Sequence, residues 1–343
     1  MPNDIIKLVS RRTPAENALS DRAREYIAQS ARPNTRRAYA TQIKLWLAWC
    51  EKQSVWDFPA DPVAVANYLT ERAEAGQAIS TLRTVVAALK AGHDAKGLSF
   101  DSKAPVILRT LRGIGNSHPR LPRQAEPLRA TDVLGLMEMA DATPLGLRDA
   151  ALLALGYVFA LRRSELVALD LDKQGDGAGV LRITAKTMEV SLAISKTSNG
   201  EVETISVPRV ENAEAIRAVE AWLKVADVRP GDPVLRRVLK GGKIGGRLHP
   251  QSVSLIIKSC LRDHYQTLGA DEASAKSEGV RYSGHSLRVG FCVSAAEGGA
   301  DLRAIASVSR HRSLTMPARY SQRAEQIKTS PHRLPGVGLQ RRS

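Results

Sequence analysis

Four short runs in the second half of the chain carry side chains able to act on a phosphate. The first, Ala160 to Leu166, holds Arg162 and Glu165 directly after an apolar stretch. The second, Ile194 to Thr197, holds Lys196, and the third, Gly284 to Gly290, holds His285 and Arg288. The fourth joins Ser309 to Ser313, with His311 at its centre, to Ala318, Arg319 and Tyr320. Guanidiniums stay protonated and present their donors in a planar fork. Two of them can grip the non-bridging oxygens of a phosphodiester and stabilise the charge of a pentacoordinate transition state. A phenol, with an ordinary pKa of ~10, attacks phosphorus once its proton is taken. An imidazole suits that transfer, and an ammonium suits protonation of the departing oxygen. Taken singly, each run is weak: paired arginines after a helix usually face solvent, and a lone tyrosine usually packs. The combination is what carries weight.

The whole chain supports a polyanionic partner. Its 343 residues hold 50 Lys and Arg against 35 Asp and Glu, a formal charge of +15. Each phosphate neutralised by such a surface releases condensed counterions and strengthens binding. The basic residues recur within amphipathic stretches and are not gathered in one tail, which favours nucleic acid over a merely soluble basic protein. Three distant cysteines, Cys50, Cys260 and Cys292, fit neither a disulfide framework nor a zinc site. Cys50 and Cys292 sit in apolar helical contexts and read as packing residues. No run has the length and apolarity of a signal peptide or a membrane span. A reducing cytoplasm is the expected setting, with no membrane partner.

The elements that must position these groups read as mainly α. This length favours more than one domain, and the aromatic content of 4% means cores built from Ala, Leu, Val and Ile. A loose arm (1–14) precedes a helical bundle (15–115). Its first helix opens at Pro33-Asn34-Thr35 and buries Ile43, Leu45, Trp46, Leu47 and Trp49. Asp61 caps the next, with Pro62 in its first turn. A third, capped by Ser80 or Thr81, carries Leu82, Val85, Val86 and Leu89. A fourth carries Ile107 and Leu111 and stops at Gly113 or Gly115. The proline-rich, basic stretch 116–128 reads as a linker. The larger domain (129–326) begins with helices at about 130–140 and 145–160. Runs beginning at Val180, Val190 and Val202 then alternate as the strands of a small three-stranded antiparallel sheet. Helices follow, and the tail (327–343) is broken by Pro331, Pro335, Gly336 and Gly338.

In that order, the four runs resemble those of the tyrosine recombinase (phage integrase) family, above all its Cre-like members. The likeness extends from about residue 15 to about 326. It includes the stretch Asn34 to Cys50 with its Trp46, Trp49, Cys50 ending, and the stretch Ala78 to Thr84. The resemblance implies catalytic roles for Arg162, Glu165, Lys196, His285, Arg288, His311 and Tyr320. Lys186, in Ala-Lys-Thr, competes with Lys196 for the lysine role. Lys196 is preferred because Asn199-Gly200 and a returning strand follow it. The family commonly has glycine where Arg310 stands, and the broken tail departs from the helix that Cre-like enzymes pass to a neighbour.

The same resemblance implies that the first-domain helices lie in the major groove. Thr35, Arg37, Thr41 and Lys44 fall on the polar side of one helix, and Ser80, Arg83 and Thr84 on that of another, as DNA-contacting residues would. The implied partner is double-stranded DNA with inverted half-sites, bound by a homotetramer built as a dimer of dimers. The implied reaction is cleavage and rejoining through a 3′-phosphotyrosine, with strands exchanged in the tetrameric synapse. No cofactor is expected: the motifs lack a carboxylate cluster for Mg²⁺ and a Gly-Lys-Ser/Thr loop for ATP. Two rival readings share the scaffold, a non-catalytic architectural DNA-binding protein and a relaxing type IB-like topoisomerase.

Overall fold

A computed structural model describes residues 33–118, 125–175, 177–193 and 202–310, with Ser20, Arg22, Tyr26 and Ala318 in isolation. The chain divides into two compact units, Met1–Pro122 and Arg123–Ser343.

Four described helices build the first unit: α1 (Pro33–Gln53), α2 (Pro62–Glu74), α3 (Ile79–Ala95) and α4 (Pro105–Ser117). Three begin with proline, whose fixed φ and missing N–H suit a first turn. The Asp61 carboxylate accepts from Val63 N and Ala64 N at 3.1 and 3.0 Å, fixing the start of α2 as the sequence predicts. The core is aromatic at one end, where Tyr68 meets Trp46 edge-on at 5.3 Å and Trp49 at 5.2 Å. Val65, Leu69, Leu82, Val85, Leu89 and Ile107 fill the rest.

Two expectations need correction here. Leu45 and Leu47 of α1 are exposed, at 38% and 39%, whereas Trp46 and Cys50 are buried. At about 100° per residue, Trp46 and Cys50 share one face and each leucine is swung to one side of it. Helix α4 also runs on through Gly113 and Gly115 to Ser117. Burial of Ile114 between these glycines offsets their poor propensity.

The second unit is layered around an apolar helix. Its elements are α5 (Ala130–Glu138), α6 (Pro144–Val158), α7 (Arg163–Val167), β1 (Leu169–Leu171), β2 (Gly179–Ile183), β3 (Thr187–Ala193) and β4 (Val202–Pro208). They continue with α8 (Ala213–Val225), β5 (Arg236–Val238), β6 (Ile244–Arg247), α9 (Pro250–Thr267), α10 (Glu272–Val280), α11 (Ser286–Glu297) and α12 (Leu302–Ser309). Leu152, Leu153, Ala154 and Leu155 of α6 are all buried, because α8, α5 and α11 pack around it. A helix apolar on every side has to be enclosed in this way.

The protein is mostly helical with a small sheet. The three alternating runs form its antiparallel part, with Leu181 opposite Val190 and Val190 opposite Ile205. A fourth strand, β1, lies parallel to β2. Its buried Asp170 accepts from Gly175 N at 2.7 Å, Gly177 N at 2.8 Å and Arg247 Nη2 at 2.5 Å, tying the β1–β2 connection into the core. A short antiparallel pair, β5–β6, is also present. No described helix is long and apolar enough to cross a membrane.

Candidate active site

The site is built on the C-terminus of α6. There Ala160 takes a left-handed conformation, φ 46°, and its N–H reaches Tyr157 O at 3.0 Å while Leu161 N reaches Gly156 O at 3.1 Å. Such a close ends a helix sharply, and glycine is its usual occupant. Ala160 and Leu161 are both buried, and the turn sends Arg162 out as the extended residue heading α7. Glu165, one turn on, accepts from Arg162 N at 2.9 Å and from Arg162 Nη1 at 2.5 Å. One carboxylate thus caps α7 and orients the guanidinium beside it.

Arg288 arrives from α11 and is buried, with 1% exposure. Its Nη1 donates to Ala160 O at 2.8 Å, while Nε and Nη2 have no hydrogen-bond partner among the described residues. Burial, then the charges of Arg162 and Arg310, push its pKa down to about 10. Arg288 therefore remains a cation at neutral pH. Its helix sits hard against the segment before α5. Leu128 N donates to Ser286 O at 3.1 Å, and a methyl group at Gly290 would overlap the Leu128 carbonyl.

His285 directly precedes α11, its N–H donating to Ser283 Oγ at 3.2 Å. The residue is exposed overall, yet its ring is partly withdrawn from solvent. That burial, followed by Arg288 and Arg162, lowers its pKa below the ordinary 6.5. The ring is therefore uncharged at neutral pH and can accept a proton. Glu165 shows the opposite balance. Burial acts to raise its pKa, but Arg310 and Arg162 outweigh it and hold the carboxylate below its usual range.

Arg310, noted in the sequence only as a departure from glycine, proves to belong to this corner. Its Nη2 donates to Glu165 Oε2 at 2.9 Å and to Ala160 O at 3.2 Å. Its backbone carbonyl accepts from Arg162 Nη2 at 3.0 Å. No spacing rule could have found it, because its partners lie about 150 positions earlier. The only signal was a large cation where glycine was expected.

The structure thus gathers Arg162, Glu165, His285 and Arg288 of the anticipated residues. Lys196, which falls between β3 and β4 in the chain, lies outside the described residues, as do His311 and Tyr320. The rival Lys186 lies in the turn between β2 and β3, its N–H donating to Thr184 Oγ1 at 3.2 Å. No three His, Cys, Asp or Glu side chains come together as metal ligands among the described residues.

In the first unit, Arg37, Thr41 and Lys44 are exposed on α1 and Ser80 and Arg83 on α3, while Thr35 and Thr84 are half-buried. Thr41 and Thr84 each donate their hydroxyl to the carbonyl four residues back, to Arg37 O at 2.9 Å and Ser80 O at 3.0 Å. Each hydroxyl is left to act as an acceptor. Arg83 also lines an open groove of about 440 Å³ with Tyr39 of α1 and Lys90 of α3. The sequence reading passed over Lys90.

Comparison with known proteins decides the family. Residues 126–326 match the phage integrase family, and residues 24–96 match the phage integrase N-terminal SAM-like domain. The chain belongs to the phage integrase family. These tyrosine recombinases include the integrase/recombinase xerD homolog of Selenomonas ruminantium, 30% identical over 90% of this chain and 87% of that protein. The recombinase cre of Escherichia phage P1 is 26% identical over 75% of this chain and 74% of its own. Among solved structures, the XerH site-specific recombinase bound to palindromic difH substrate shares the fold. Its TM-score is 0.57 at 13% identity, over 86% of this chain and 78% of that one. All seven anticipated catalytic residues fall within the span that matches the phage integrase family, and all seven anticipated DNA-contacting residues fall within the SAM-like match.

Proposed function

We propose that this protein is a site-specific recombinase that cuts and rejoins DNA, with Tyr320 as its nucleophile. The observation that carries the proposal is Arg288, a buried guanidinium with two nitrogens unpartnered among the described residues, set beside the exposed Arg162. Buried donors are nearly always satisfied, and an anionic oxygen would satisfy these.

In the proposed step, Tyr320 Oη bonds to phosphorus while the bond from phosphorus to the 5′ oxygen breaks. Arg162 and Arg288 hold the non-bridging oxygens, and Glu165 orients Arg162. Neutral His285 takes the phenolic proton, Lys196 protonates the departing 5′ oxygen, and His311 hydrogen-bonds the phosphate. The phosphotyrosine keeps the energy of the broken bond, so the 5′ hydroxyl can reverse the step and rejoin DNA without a cofactor. Thr35, Arg37, Thr41, Lys44, Ser80, Arg83 and Thr84 contact the duplex in this reading. The proposal extends, as the family resemblance implies, to paired subunits on inverted half-sites, a tetrameric synapse and strand exchange through a four-way junction.

The test is a DNA duplex carrying the target site, recovered by selection from random sequence, and nicked so that the short fragment bearing the new 5′ hydroxyl diffuses away after cleavage. A covalent adduct that survives detergent, with the nucleotide on the peptide holding Tyr320, is the expected product. Absence of any adduct would leave the architectural reading, and relaxation of supercoiled plasmids of arbitrary sequence would favour the topoisomerase. The pH profile is a further expectation. Because His285 titrates below 6.5, its neutral form persists on the acid side of that value. The acid-side midpoint of the single-turnover cleavage rate should therefore lie below 6.5. A decline centred above 6.5 would remove His285 as the proton acceptor.

A further inference from the structure

Helix α12 ends on Arg310 in the left-handed conformation, φ 52° and ψ 48°. Outside glycine this backbone is unfavourable, so something must hold it. The side chain does so, with 7% exposure and a guanidinium spread over four acceptors. Its Nη1 donates to Phe159 O at 3.3 Å and Val308 O at 3.0 Å, and its Nη2 to Ala160 O and the Glu165 carboxylate. Its own carbonyl receives Arg162 Nη2. Main chain and side chain of one residue are both fastened to the turn that carries Arg162.

The sharing of Glu165 matters most. Its Oε1 takes Arg162 Nη1, while Oε2 takes both Arg162 N and Arg310 Nη2. Without Arg310, Oε2 would be freer to draw the Arg162 guanidinium into a two-pronged pair, and Nη2 of Arg162 would be turned from its present carbonyl. We infer that Arg310 is a positioning residue: by taking one oxygen of Glu165 and offering its carbonyl, it holds the Arg162 guanidinium in the orientation that meets the DNA phosphate. This inference rests on the cleavage reading above.

The experiment compares Arg310→Gly and Arg310→Lys with the parent on the nicked duplex, in single turnover and with DNA affinity measured separately. Glycine suits the left-handed backbone, so the first variant is expected to keep its fold and its DNA affinity. Its rate of adduct formation should fall about 10–100-fold, the scale of a misplaced reacting group. Added methylguanidinium should restore part of that rate, and Arg310→Lys should lie between parent and glycine variant. A merely structural role would show neither the unchanged affinity nor the rescue. Adduct formation by Arg310→Gly at the parent's rate, or a loss matched by lost affinity, overturns the inference while leaving the recombinase reading intact. A parent that forms no adduct at all overturns both.

Discussion

Arg288→Met is expected to yield a protein that melts at a higher temperature than the parent and cuts DNA far more slowly. Arg288 is 1% exposed and satisfies only one of its nitrogens among the described residues, through Ala160 O. The corner it occupies also holds the guanidiniums of Arg162 and Arg310, against the one carboxylate, Glu165, that pairs with them among the described residues. A buried cation so placed bears a desolvation cost that repulsion makes worse, which is why its pKa falls to about 10. A methionine of similar reach would remove both terms. Ala160 O would still receive Arg310 Nη2 at 3.2 Å. Stabilisation of about 1–3 kcal/mol is expected, by analogy with buried ion pairs replaced by apolar side chains. Losing a donor aimed at the transition state should slow cleavage by about 10²–10³-fold. Calorimetry and single-turnover cleavage read the two effects separately. A lower melting temperature would mean that Arg288 is a structural tie, contrary to its placement here.

The largest loss of stability is expected from Gly290→Ala. The added methyl would overlap the Leu128 carbonyl and crowd Leu128 N, which are backbone atoms with little room to retreat. Overpacking against such a neighbour should cost about 3 kcal/mol. It should also shift α11, and with it Arg288 two residues earlier and His285 at the helix start. Gly113→Ala in α4 is the matched control, since a methyl there meets nothing within 4 Å. Relief of glycine's poor helix propensity should make that change stabilising by about 0.5–1 kcal/mol. Denaturant midpoints for the two variants should therefore move in opposite directions. Equal shifts would show that α11 has slack the structure does not reveal.

How much could be read from the chain varied with how local each signal was. Asp61-Pro62 announced the start of α2 because the cap and the proline act within one turn. The three antiparallel strands were legible because Leu181, Val190 and Ile205 each sit in an alternating run. Strand β1 was not, since three residues show no period and its partner Gly179 lies ten positions on. The buried face of α1 was misjudged by treating a cluster of apolar residues as one stripe, although Leu45 and Leu47 flank Trp46 on either side. Arg162, Glu165, His285 and Arg288 were singled out because the order of their motifs resembles that of the family, and the structure brings these four together. Arg310 was not assigned a place there, because its role depends on a left-handed turn and on carbonyls far away in sequence.

Two of the three arginines at this corner are anchored largely by the buried carbonyls that end α6, at Phe159 and Ala160. A helix terminus of this kind is a fixed negative pole that no accessible acidity can neutralise. Had carboxylates done all the holding, acid would release the arginines, and at neutral pH each acid would cancel one positive charge that an incoming backbone needs. Peptide dipoles anchor the cations without cancelling them, so grip on an anion should outlast the protonation of Glu165.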